Sequence, residues 1–141
     1  MKKIIVGVFL LIYTFVFAAN DEAVITSIKK EEAEVLEFLL KNGGNPNVTD
    51  ANGESMFFWA IKSGNTNICK ILIDNGVDLN VKDKSLKTPL LTAMFYDNSE
   101  LVNYLIEKGA VVTDVDASGN TPILLGTAKG DSKLVTKIIE P

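Results

Sequence analysis

Histidine and arginine are missing from this 141-residue chain, and cysteine and tryptophan occur once each. The absence of histidine removes the Ser-His-Asp and Cys-His nucleophiles, the imidazole general base and the usual Cys/His zinc sites. A single thiol, Cys69, cannot close an internal disulfide. Lysine supplies all 14 basic charges against 18 acids. That balance, without the side chain that most often reads base edges, argues against a nucleic-acid partner. The remaining composition is ordinary: 47% of residues are hydrophobic, and the length suffices for a core that needs neither disulfide nor metal. No cofactor, metal ligand set or catalytic residue is expected. Glu31, Glu32, Glu34 and Glu37 read as a polar helix face, since a carboxylate pair for hydrolysis needs a cleft to work in.

What is present begins with a targeting segment. Met1-Lys2-Lys3 precedes an apolar stretch from Ile4 to Phe17, then Ala18-Ala19 and the polar Asn20-Asp21. This has the layout of a secretory signal peptide over residues 1–18, with cleavage expected after Ala18, where Val16 and Ala18 suit the peptidase. The alternative, an uncleaved anchor, meets the objection that Ile4 to Ala19 is only 16 residues, short of the ~20 that span a bilayer. Cleavage would leave 12 lysines against 18 acids and a soluble, periplasmic or secreted chain without stable membrane insertion. An oxidising compartment tolerates one buried thiol.

The rest of the chain repeats itself at a step of 33 residues. Gly43, Gly76 and Gly109 share a register, as do Asp50, Asp83 and Asp116, and Asn47, Asn80 and Thr113. Ser55, Thr88 and Thr121 align, and so do Val35, Ile68, Leu101 and Leu134. Thr88-Pro89 and Thr121-Pro122 predict helix starts: the hydroxyl caps free amides, and proline at the first helical position gives up an N–H that has no partner there. Ser55-Met56 keeps the cap without the proline. Short helices should end near Gly64, Asp97-Asn98 and Gly130. Second helices follow with apolar residues at helical spacing, such as Ile68, Ile71 and Leu72, stopped by Gly43, Gly76 and Gly109. Between Gly76 and Thr88 there is room for an extended turn and not for another helix.

The Thr-Pro-Leu-x-x-Ala run at Thr88 to Ala93, Gly76-Val77-Asp78-Leu79-Asn80 and the Gly109-Ala110-x-x-Thr113 stretch resemble the ankyrin repeat family, over nearly the whole chain after the leader. The resemblance implies an all-α repeat solenoid of stacked helix-turn-helix units joined by β-hairpin-like turns. It divides the chain into a degenerate first repeat over 19–50, repeats at 51–83 and 84–116, and a partial capping repeat at 117–141. The family's histidine after Thr-Pro-Leu is replaced by Phe58, Leu91 and Leu124, so apolar packing is expected in place of its hydrogen-bond network. The glycine at the turn tip is kept at Gly53 and Gly119 but is Leu86 in the middle, where a distorted hairpin is expected. Lys133, Thr136, Lys137 and Glu140 should give the last unit a polar outer face.

The same resemblance implies a protein-binding module; the short Met-Lys-Lys leader suggests export by a bacterium, and exported members of the family imply action on another envelope or secreted protein, as an immunity or support factor. A structural scaffold or envelope subunit, and a secreted effector acting on host proteins, are the alternatives. A monomer is expected. Binding should fall on positions free to vary between repeats: Asn52, Glu54, Lys82, Lys84, Ser85 and Lys87 on the turns, and Lys62-Ser63, Phe95-Tyr96 and Lys129 at the ends of first helices. Phe95 and Tyr96 carry most weight, because neighbours about 100° apart on one helix cannot both face the core. Either they contact a partner, or Phe95 fills space left by the missing histidine while Tyr96 lies on the surface. Lys82, Lys84 and Lys87 read as a solvated turn or as a contact for an acidic partner. Trp59 is expected in the core beside Phe57 and Phe58, and Cys69 as a buried structural thiol.

Overall fold

The computed structural model describes residues 20–140 together with Gly7 and Val8. The leader expected over 1–18 therefore lies, but for those two positions, outside the described residues. Eight helices follow one another from residue 20: α1 (20–29), α2 (Ala33–Lys41), α3 (Met56–Ser63), α4 (Thr66–Asp74), α5 (Pro89–Phe95), α6 (Ser99–Glu107), α7 (Pro122–Ala128) and α8 (Ser132–Ile139). They form antiparallel pairs in two layers, α3, α5 and α7 stacking in one and α2, α4 and α6 in the other. Among the described residues the only β pairing outside helices is the isolated antiparallel bridge between Thr49 and Ser55.

Local chemistry accounts for the helix starts. Ser55, Thr88 and Thr121 cap α3, α5 and α7, their hydroxyls accepting from the N–H of Phe57, Leu91 and Leu124. Asn65, Asn98 and Asp131 cap α4, α6 and α8 through side-chain oxygens that accept from Ile68, Leu101 and Leu134. Gly76 and Gly109, at φ 87° and 93°, follow the second helices in the left-handed conformation that ends a helix without strain. The core runs continuously through the stack, from Val24 and Ile28 of α1 through Leu36, Phe57, Ile61, Cys69 and Leu72 to Leu90, Leu101 and Leu105.

Asp50, Asp83 and Asp116 build the three long turns. One oxygen of each carboxylate accepts two backbone N–H groups, from Asn52 and Glu54, from Ser85 and Lys87, and from Ser118 and Asn120, at 2.8–3.0 Å. The distortion expected at Leu86 is absent. Its N–H donates to the Asp83 carbonyl at 3.0 Å, and Gly53 and Gly119 make the matching bonds to Asp50 and Asp116 at the same distance. Leu86 has instead moved to φ 58°, where a leucine carries backbone strain that the glycines avoid.

Three further expectations are corrected. Phe58 and Leu91 are fully buried, so apolar packing does replace the histidine at two positions, but Leu124 is 57% exposed, since among the described residues no further helix pair lies over it. The outer face of the last pair is only partly polar: Lys133, Thr136 and Glu140 are exposed, yet Ile123, Leu124 and Ile139 are exposed beside them. Trp59 lies at the surface and not in the core, since Phe57, Phe58, Ala60 and Ile61 already fill the buried face of α3.

Candidate functional site

The turns and the ends of the first helices come together on one side of the stack. Lys62 at the end of α3, Asp83 and Lys87 on the middle turn, and Thr92, Phe95 and Tyr96 of α5 and its C-cap line an open depression of about 400 Å³. Phe95 and Tyr96 are 45% and 54% exposed. The reading in which Phe95 fills the space of the missing histidine fails, because buried Phe58 and Leu91 occupy that register themselves. The Lys87 Nζ sits 4.9 Å from the centre of the Phe95 ring, a cation held on an aromatic face. Lys62 Nζ lies 6.0 Å from the Phe58 ring and pairs with Glu54 at 3.0 Å. The depression thus offers two aromatic surfaces with ammonium groups alongside, and it is the aromatic side chains that are enriched at protein interfaces.

The other expected residues are dispersed. Lys82 is drawn off to Asp114 on the next turn, 3.0 Å away. Lys84 and Ser85 are exposed at the tip of the middle turn, where the Ser85 carbonyl accepts from Ala117 N–H at 2.9 Å. Asn52 uses its N–H within its own turn, and Ser63 Oγ donates to the Ala60 carbonyl at 2.8 Å, so both have local structural work. Lys129 reaches the Met94 carbonyl and the Asp97 carboxylate, and lines a different depression, of about 250 Å³, between α6 and α8. Sequence reasoning missed Asp83 and Thr92 as lining residues. Asp83 was visible as one of three aspartates at the 33-residue step, but its position beside Phe95 requires the fold.

On the opposite side, Tyr104 OH donates to Asp74 at 2.6 Å and Lys108 pairs with the same carboxylate at 3.0 Å. These two bonds hold the Asp74 carboxyl below its ordinary range, Tyr104 first and Lys108 second. The Asp116 carboxyl is lowered chiefly by the Asn120 side-chain amide, with backbone N–H bonds and the Lys87 charge adding to it. Burial acts in the other direction on Cys69, whose thiol is pushed up to about 12. At neutral pH it is a protonated core group with no nucleophilic character. Among the described residues no helix is long and apolar enough to cross a membrane.

Comparison with known families gives one result: residues 23–116 match the family model for ankyrin repeats, in three copies. No curated protein matches the chain.

Proposed function

Since the chain belongs to the ankyrin-repeat family, whose members are generally protein–protein interaction modules and typically non-catalytic, we propose that it is an exported binding protein without activity of its own. Its partner is another envelope or secreted protein, and the contact is centred on Phe95 and Tyr96. The observation that carries this reading is the joint exposure of those two rings in a depression that also holds Lys62 and Lys87. Two aromatic surfaces held out to water cost hydration free energy that a partner recovers on contact. The apolar leader of residues 1–18 supports export to the periplasm or beyond.

The test is affinity capture from an envelope extract with the tagged wild type and with a Phe95→Ala/Tyr96→Ala variant, followed by mass spectrometry. A protein recovered with the wild type and depleted at least tenfold with the variant, at unchanged thermal melting, supports the reading. Equal recovery by both removes the aromatic pair from the site. The intact mass of the exported protein tests cleavage after Ala18 separately.

A further inference from the structure

Three asparagines stand directly before glycine: Asn42-Gly43, Asn52-Gly53 and Asn75-Gly76. Glycine has no Cβ to shield its amide nitrogen, so that nitrogen can reach the side-chain carbonyl carbon of the residue before it. All three glycines hold the left-handed conformation, at φ 91°, 77° and 87°, and each N–H donates to a carbonyl three residues back, at 3.3, 3.0 and 3.1 Å. The backbone therefore treats the three alike, and the asparagine side chains do not. Asn42 Nδ2 donates to the Phe38 carbonyl at 2.7 Å and Asn75 Nδ2 to the Ile71 carbonyl at 2.8 Å, which ties both amides back along α2 and α4. Asn52 sits at the tip of the first long turn between exposed Ala51 and Gly53, its backbone N–H donating to the Asp50 carboxylate at 2.8 Å. Among the described residues its side-chain amide has no hydrogen-bond partner.

We propose that Asn52 is a site of spontaneous modification in the folded protein, converting to aspartate and isoaspartate, while the helix ends protect Asn42 and Asn75. The Gly53 nitrogen gives up its proton to solvent base and attacks Asn52 Cγ. The N–Cγ bond forms, the Cγ–Nδ2 bond breaks, and Nδ2 takes up a proton and leaves as ammonia. Water then opens the cyclic imide. Cleavage at its Cγ leaves aspartate; cleavage at the main-chain carbonyl leaves isoaspartate, whose chain runs through Cβ. Either product adds a negative charge beside Asp50 and Glu54. Isoaspartate also inserts a carbon into the ring closed by the bond from Gly53 N–H to the Asp50 carbonyl, in the turn whose Glu54 pairs with Lys62 at 3.0 Å. The other two turns avoid this chemistry: the positions at the 33-residue step are Ser85 and Ser118, and each donates its N–H to the turn aspartate as Asn52 does. The modification is independent of the proposed contact at Phe95.

The test incubates the protein as recovered after expression of the full chain at mildly alkaline pH, folded and in guanidinium chloride, and locates each amide-to-acid conversion by peptide mapping with fragment-ion assignment. In the folded protein Asn52 should convert at least about threefold faster than Asn42 or Asn75, the margin that one hydrogen bond gives a rate. In denaturant every side chain is free, and the three rates should converge. Asn52→Ser should fold as the wild type does, with the residue that the other turns use, and should lose the acidic species that the wild type accumulates. An Asn52 that stays intact in the folded protein while converting in denaturant overturns the proposal, because the turn would then protect it as the helix ends protect their asparagines. So does a folded protein in which Asn42 or Asn75 keeps pace with Asn52. A ranking that survives denaturant, or an acidic species that still accumulates in the serine variant, overturns it as well, since the folded geometry at Asn52 would not be its source.

Discussion

Leu91 and Leu124 occupy the same register in successive repeats, and replacing each by alanine isolates the contribution of a following helix pair. Leu91 is fully buried, so its truncation loses the transfer free energy of the removed carbons and leaves a cavity, costing about 3 kcal/mol within a usual range of 2–5. Leu124 is 57% exposed. Less than half of its side chain is shielded, and water fills the space left behind, so the cost stays below about 1 kcal/mol. Alanine's higher helix propensity offsets a little of either loss. For a chain of this size about 1 kcal/mol moves the melting midpoint by about 4 °C, giving a drop near 12 °C for Leu91→Ala and under about 4 °C for Leu124→Ala. The assay is thermal and urea unfolding by circular dichroism at a few μM. Chemical unfolding checks that both variants lose structure as one unit, since solenoids can unfold from an end. Equal losses at the two positions would refute the reasoning, because they would mean that something already covers Leu124.

Other expectations follow from the same geometry. Gly53→Leu places a leucine at φ 77° without relief and should cost about 1–2 kcal/mol in urea unfolding, whereas Leu86→Gly at the middle tip should be close to neutral, trading strain against a half-exposed side chain. Asp74 and Asp116 have folded pKa values below their ordinary ones, so the stability they contribute is fully present above the ordinary aspartate range and is lost as pH falls through the lowered values. Urea midpoints should therefore decline below about pH 4, and Asp116→Asn should flatten part of that decline. A maleimide should leave Cys69 unlabelled in the folded protein at pH 7.5 and label it promptly in denaturant; prompt labelling without denaturant would contradict its burial.

Much of this architecture is legible in the chain because it depends on local chemistry. The caps at Ser55, Thr88 and Thr121 and the left-handed glycines after α4 and α6 act within a few residues of themselves. The errors came from effects that depend on neighbours in space. Trp59 sits next to two buried phenylalanines in the sequence, yet the buried face of α3 was already complete. Leu124 follows the pattern of Leu91 but has no covering pair among the described residues, and a register alone does not say what lies beyond it. A leucine at the Leu86 tip predicts a distorted hairpin, whereas the Asp83 carboxylate and its two N–H bonds hold the backbone in place against the strain. Of the candidate site, the aromatic pair was visible as a departure from helical patterning. Its grouping with Lys62 and Asp83 was not, because these residues meet only when the repeats stack.

Among the described residues, every side-chain hydrogen bond that joins one unit to the next spans between 30 and 35 positions of sequence. Asn47 Oδ1 accepts from Asp78 N–H, and Asn80 Oδ1 accepts from Val111 N–H in the same way. The length of this chain is therefore quantised. Excising residues 84–116 as a whole would bring helix faces of the same register together, with Lys137 opposite Asp74 as it is now opposite Glu107, whereas Lys70 would meet Lys133 in place of Glu100. Removing a segment a few residues shorter or longer would leave every donor opposite the wrong acceptor from that point on. Such a molecule can gain or lose reach only in whole periods, which keep the backbone register while the side-chain pairs at the new junction change.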